Sequence, residues 1–210
     1  MKTVLVGNGP SAIHSKLGHI IDSFDIVVRF NTFYQKGFEE YVGRKTDIWA
    51  VNLGYVAYPK RNEIQWNGIG EIPKIVVLAP KRAGNNPGYG DIAKMKLPPG
   101  VTLCTQESAI EADSLYTGKT WASTGVLAIL EFGPCAIVGF DCFQGLTHHY
   151  VKDKAVSRFH NPTLEKEFVL AKIAEGSVTE LSGSFDHDDT HGGAARHAIE
   201  IGQATRGLAS

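Results

Sequence analysis

Nothing in this chain approaches the ~20 consecutive apolar residues that cross a bilayer. It opens on a β-rich run with no signal-peptide pattern, so neither a transmembrane segment nor a leader is expected. Cysteine is scarce. Cys104, Cys135 and Cys142 are an odd set without metal-ligand spacing, which argues against a disulfide framework or a zinc module. Surplus charge is absent too, at a net −1, so no nucleic-acid partner held by bulk charge is expected. Internal repeats and low-complexity tracts are missing. No Asp-x-Asp metal motif has supporting context, because Asp186, Asp188 and Asp189 lie in the tail. What remains is ordinary globular composition, 43% hydrophobic and 20% charged over 210 residues, enough for one domain with a full core.

The most informative stretch runs over residues 4–52. Residues 3–6 are a short apolar strand that stops at Gly7, and Gly7, Asn8 and Gly9 make a tight turn. Ser11 reads as the N-cap of a helix over 11–21. A strand, a glycine-rich turn and a helix start form an anion site, because unpaired N–H groups and the positive end of the helix dipole face the turn. Residues 25–30 are the second strand, ending at Arg29 and Asn31. Residues at the carboxyl ends of parallel strands face the ligand crevice, so Asn8, Ser11, Arg29 and Asn31 are expected to converge on one phosphate-bearing ligand. Gly7, Gly9 and Ala12 also fit the dinucleotide pattern G-x-G-x-x-A, a weak signal alone. An NAD site would want an acidic residue after the second strand. Arg29 instead leaves NADP open.

Further strands are expected over 46–52, 74–79, 101–105, 135–139 and 178–181, with 74–79 central because it is almost wholly apolar. Helices are expected over 107–116, 123–132 and 161–174. The Gly/Asn/Pro-rich residues 80–91 read as a binding loop or lid. Alternating strands and helices imply an α/β fold: a single Rossmann-like domain with a mainly parallel twisted sheet flanked by helices. The domain is expected over 1–181. Residues 182–210 form a Gly/Asp/His-rich tail, either weakly helical over 194–206 or partly disordered.

Three more motifs stand out. Trp121-Ala-Ser-Thr-Gly opens a helix with Ser123 as N-cap, and the apolar helix leads to Val138-Gly139-Phe140-Asp141. A capped core helix is the plainer reading of that segment by itself. Thr147-His148-His149-Tyr150 pairs histidines before a tyrosine, a pattern that a zinc or solvated loop would also fit. His160-Asn-Pro-Thr-Leu-Glu165 puts a histidine just before a helix and a carboxylate in its first turns.

Together, Gly-Asn, Ile-Asp-x-x-Asp-x-Val-x-Arg-x-Asn and Val-Gly-x-Lys-Thr resemble the large sialylmotif of the animal-type sialyltransferases, glycosyltransferase family 29. The other three segments resemble that family's small motif, motif III and very small motif, in family order, from Val4 to about Ala174. Ala122 stands where the family has proline, and Lys2 or Thr3 where it has a motif cysteine. With the missing anchor, that cysteine difference suggests a reduced, cytoplasmic, microbial or viral member.

The resemblance implies a variant GT-A-like fold and an inverting transfer of sialic acid, or a related ulosonic acid such as Kdo, from a CMP-sugar to a glycan hydroxyl. It assigns Asn8, Gly9, Ser11, Asn31, Ser123, Thr124 and Gly125 to the nucleotide. His148 or His149 would face the phosphate, with His149 the better match, and His160 would be the catalytic base. No cofactor and no metal are expected. The partners are the CMP-sugar donor and a glycan acceptor. Two alternatives stay open: an NADP-linked or other Rossmann enzyme, and a CMP-sugar-binding protein without turnover.

Overall fold

A computed structural model describes residues 1–54, 68–71, 73–79, 97, 100–116, 120–143, 149–151 and 160–182. Its strands are β1 (Thr3–Val6), β2 (Ile26–Phe30), β3 (Ile48–Asn52), β4 (Lys74–Leu78), β5 (Val101–Leu103), β6 (Cys135–Val138) and β7 (Val178–Glu180). They form one seven-stranded sheet in the order β5-β4-β3-β2-β1-β6-β7. Every neighbouring pair runs parallel. The β-branched runs TVLV, IVVRF and KIVVL explain this, since a strand covered on both faces is apolar throughout.

Side chains alternate between the faces. Leu5, Val28, Phe30, Ala50, Val76 and Leu78 share one buried cluster with Ala112, Leu127 and Val169. Those last three belong to α3 (Gln106–Ser114), α4 (Thr124–Phe132) and α5 (Pro162–Ala174). Val4, Val6, Val27 and Val138 pack on the other face, against Ile21 of α1 (Gly18–Asp22) and Val42 of α2 (Glu39–Val42). The three long helices carry side-chain caps. Thr105 accepts from the Ser108 amide, Ser123 from Val126, and Asn161 from Leu164.

The order of the strands reverses between β1 and β6, so the ligand crevice of such a sheet opens at their carboxyl ends. The parallel, helix-flanked, Rossmann-like architecture is the expected one. Two details differ. No continuous helix spans 11–21: the segment is a 3-10 turn, Pro10–Ile13, followed by the separate five-residue α1. Strand β4 is interior but second from an edge, with β5 outside it. The loop at 80–91 and the tail from 183 onward, including its expected helix, lie outside the described residues, as do most of the irregular residues 53–74.

Candidate functional site

At the switch point, backbone hydrogen bonds bridge the ends of β1 and β6. The Gly7 amide donates to the Val138 carbonyl at 2.7 Å, and the Gly9 amide to the Gly139 carbonyl at 3.0 Å. A Cβ at Gly9 would stand 2.6 Å from the Gly139 oxygen, too close for any side chain. Gly9 is therefore a glycine because two strand ends touch there. Asn8 lies between them. Its Nδ2 donates to the Phe30 carbonyl at 3.1 Å, across to the end of β2.

Asn31 follows directly, at φ 47, a left-handed conformation that asparagine tolerates. Its Oδ1 accepts from the Asn52 amide at 2.9 Å, and its Nδ2 donates to Thr124 Oγ1 at 3.2 Å. Asn8 and Asn31 from the first motif and Thr124 from the second thus meet at the mouth of the crevice. Gly125 turns its bare Cα to the Phe140 ring, where a Cβ would sit 3.0 Å from Cε1. Phe140 in turn packs edge-on against Phe30, with centroids 5.7 Å apart.

Two further site residues are tied to carboxylates. Ser11 is 4% exposed and does not cap a helix; Gly9 holds the N-cap position, without a side-chain bond. The Ser11 amide donates to Asp141 Oδ2 at 3.0 Å, and its hydroxyl lies 3.3 Å from that of Ser182. Ser182 Oγ also accepts from the Gly139 amide at 3.0 Å and bonds Glu180. Ser123 does cap its helix. Its amide donates to Glu165 Oε1 at 2.9 Å and its hydroxyl to Oε2 at 2.6 Å. Glu165 is only 3% exposed, and burial pushes its carboxyl up to about 7 against the opposing pull of the Ser123 bonds and of Tyr116.

Arg29 corrects one expectation. It does not converge on the crevice with Asn8 and Asn31. It is 1% exposed, and its guanidinium donates to the Val42 and Lys45 carbonyls and to Thr46 Oγ1. Its cation also lies 5.7 Å from the centre of the Phe33 ring. Burial lowers its pKa to about 10. Asp22 holds the same loop from the other side, accepting from the amides of Arg44 and Lys45. The Val-Gly-Arg-Lys-Thr part of the signature is thus scaffold: it anchors the chain before β3.

Of the histidines, His149 is half-buried, and the Tyr150 amide beside it donates to the Asn8 carbonyl at 2.9 Å. The Tyr150 hydroxyl donates to the Tyr34 carbonyl, and its ring packs edge-on with Phe38. The third motif is therefore stitched to the first. His148 lies outside the described residues. His160 is half-buried ahead of α5 with Nδ1 buried, and its ring stacks on Phe143 at 5.1 Å and 7°. Sequence reasoning did not single out Asp141 as a bond acceptor, and Phe143 carried no pattern at all. Cys104, Cys135 and Cys142 are free thiols; burial pushes Cys135 and Cys142 up to about 12, far from reactive thiolates. Among the described residues no group of three His, Cys, Asp or Glu is placed to hold a metal, and no helix is long and apolar enough to cross a membrane.

Comparison with known proteins bears on the same residues. The sequence model of glycosyltransferase family 29 (sialyltransferase) matches residues 1–77. The lactosylceramide alpha-2,3-sialyltransferase of Homo sapiens is 25% identical over 230 residues, covering 89% of this chain and 54% of that protein. The chain thus spans about half the length of that relative. The beta-galactoside alpha-2,6-sialyltransferase 2 of Danio rerio is 45% identical over a shorter stretch, 28% of this chain and 12% of that one. The crystal structure of a mammalian sialyltransferase shares the fold at TM-score 0.56 and 21% identity, over 86% of this chain and 68% of that one. The sialyltransferase CST-II, solved with a trisaccharide acceptor and CMP, does so at TM-score 0.54 and 16% identity, over 87% and 82%. The signature that builds the β1–β2 side of the crevice is also the segment that the model of glycosyltransferase family 29 matches, and there this chain is similar to the sialyltransferases.

Proposed function

We propose that the chain is an inverting sialyltransferase that moves sialic acid, or a related ulosonic acid, from a CMP-sugar to a glycan hydroxyl. One observation carries the reading: Asn8, Asn31 and Thr124, assigned to the nucleotide by their motifs, meet where the strand order reverses. CMP and a trisaccharide acceptor are what CST-II was solved with. In the proposed step the acceptor oxygen bonds to the anomeric carbon as the bond from that carbon to the phosphate oxygen breaks. The electron pair leaves with CMP, and the acceptor proton passes to His160. An imidazole is a suitable base near pH 7.

Asn8, Gly9, Asn31 and the Ser123–Gly125 helix start are the proposed nucleotide contacts, with His149 or His148 at the phosphate. Ser11 acts by holding the turn. Fixed neutral donors and an imidazole take up the charge developing on the phosphate, so no metal and no cofactor enter the proposal. Three free thiols support a reducing, cytoplasmic setting. The NADP alternative loses its main support, because Arg29 spends its donors on backbone carbonyls.

The test is a thermal-shift panel of CMP, UDP and NADP, followed by a transfer assay with CMP-sialic acid in excess EDTA. Stabilisation by CMP and metal-free transfer are expected. A shift with NADP alone would defeat the reading, and CMP binding without turnover would leave a binding protein. His160→Ala should lower turnover by about two to four powers of ten while CMP affinity holds. His149→Ala should weaken CMP binding as well. Near-normal turnover in His160→Ala would move the base to His149 or His148.

A further inference from the structure

The segment just after β6 has an unusual backbone. Cys142 and Phe143 sit in succession at φ 47 and φ 60. This left-handed region suits glycine and asparagine, and a bulky residue there is a genuine outlier. Two such residues in a row persist only where surrounding structure over-determines them, and such outliers gather at functional sites. Here the turn delivers one ring. Phe143 lies flat against His160, centroids 5.1 Å apart and planes 7° from parallel.

A ring held by one flat neighbour keeps its plane but can still slide and turn within it. The second constraint comes from the edge: His160 Nδ1 is buried. Plane and edge together restrain the imidazole, and with Nδ1 buried, Nε2 is the nitrogen left to receive a proton. The face of a phenylalanine also carries partial negative charge, so it favours the imidazolium formed once a proton is taken.

We propose that Phe143 is a positioning residue for the His160 base, its ring presented by the left-handed Cys142–Phe143 turn so that the imidazole meets the acceptor hydroxyl with Nε2. This rests on the reading of His160 as the base in sugar transfer. Phe143 itself touches neither donor nor acceptor in this scheme; it acts only through His160.

The test compares the wild-type chain with Phe143→Leu and Phe143→Tyr by three readouts. Flat stacking places His160 ring protons in the shielding cone of Phe143, so their NMR signals should lie upfield in wild type and in Phe143→Tyr, and move downfield in Phe143→Leu. Turnover with CMP-sialic acid should fall roughly tenfold in Phe143→Leu and recover in Phe143→Tyr. CMP affinity and melting temperature should change little, which separates positioning from a merely structural role. Should Phe143→Leu melt early, the Phe143→Tyr pair alone decides through its retained shielding and turnover. Unchanged turnover or unchanged His160 shifts in Phe143→Leu would overturn the inference, as would failure of Phe143→Tyr to recover. If wild type turns over no CMP-sugar while the ring shifts behave as described, the transfer reading fails and the stacked pair stands without a reaction.

Discussion

Two helical starts border the crevice, and each gives an amide to a carboxylate from far along the chain. At the first, Ser11 bonds Asp141; at the second, Ser123 bonds Glu165. The local chemistry is the same, a hydroxyl residue with its N–H on an acid. The settings differ. Asp141 is half-buried beside the open crevice, whereas Glu165 is sealed under α4 with Tyr116 against it. A carboxylate near water trades one set of hydrogen bonds for another at little net gain. A buried one leaves its partners stranded if removed, and it carries the cost of its own charge. The two turns should therefore respond very differently to the same class of change.

The largest effect is expected from Glu165→Ala. It strands the Ser123 amide and hydroxyl inside the fold, and a lost buried partner costs ~1–3 kcal/mol per group. A loss of about 2–4 kcal/mol in a urea titration is expected, with weaker CMP binding because the Thr124 helix start shifts. A loss comparable to that of Asp141→Ala would erase the contrast between the turns.

A second effect, of comparable size, is one of pH. Burial raises Glu165 from 4.5 to about 7, so the folded state holds its proton more tightly than the unfolded state does. Stability from this group is full below about 4.5, declines as pH rises through about 7, and is level above. Glu165→Gln keeps an acceptor for the Ser123 amide and a donor for its hydroxyl, and has no proton to lose. Wild type and variant should match near pH 4.5 and part by about 3 kcal/mol at pH 8, with the variant the more stable. Parallel stability curves across that range would mean that Glu165 stays ionised in the fold.

The smallest effect belongs to Asp141→Asn. The amide oxygen still accepts from Ser11, so only the charge is lost, at a half-wet site. A change under about 1 kcal/mol and near-normal CMP affinity are expected. A large drop in CMP affinity would show that the charge itself shapes the nucleotide turn.

Legibility followed locality. The strands of the sheet were readable because apolar β-branched runs announce themselves over a few residues. The caps at Ser123 and Asn161 were readable for the same reason. The 11–21 helix was misread because its fate depends on distant groups. Asp141 takes the Ser11 amide and Ser182 faces its hydroxyl, so neither acts as a helix cap. Arg29 looked like a ligand contact because it ends a strand; its side chain instead turns to the Val42–Thr46 loop. Phe143 gave no signal, since a stacking partner has no period and no spacing.

What the amino-acid sequence determined by itself was the set of parts: seven short apolar strands, capped helices and the motif residues at their ends. These depend on propensity, side-chain period and capping, which act within a turn or two of chain. Only the tertiary structure decided what each motif residue faces. Asn31 reaches Thr124, Ser123 meets Glu165 and His160 lies on Phe143 because the strand order reverses at β1 and β6. That reversal brings distant strand ends to one edge of the sheet, where hydrogen bonds and ring contacts, rather than sequence spacing, choose the partners.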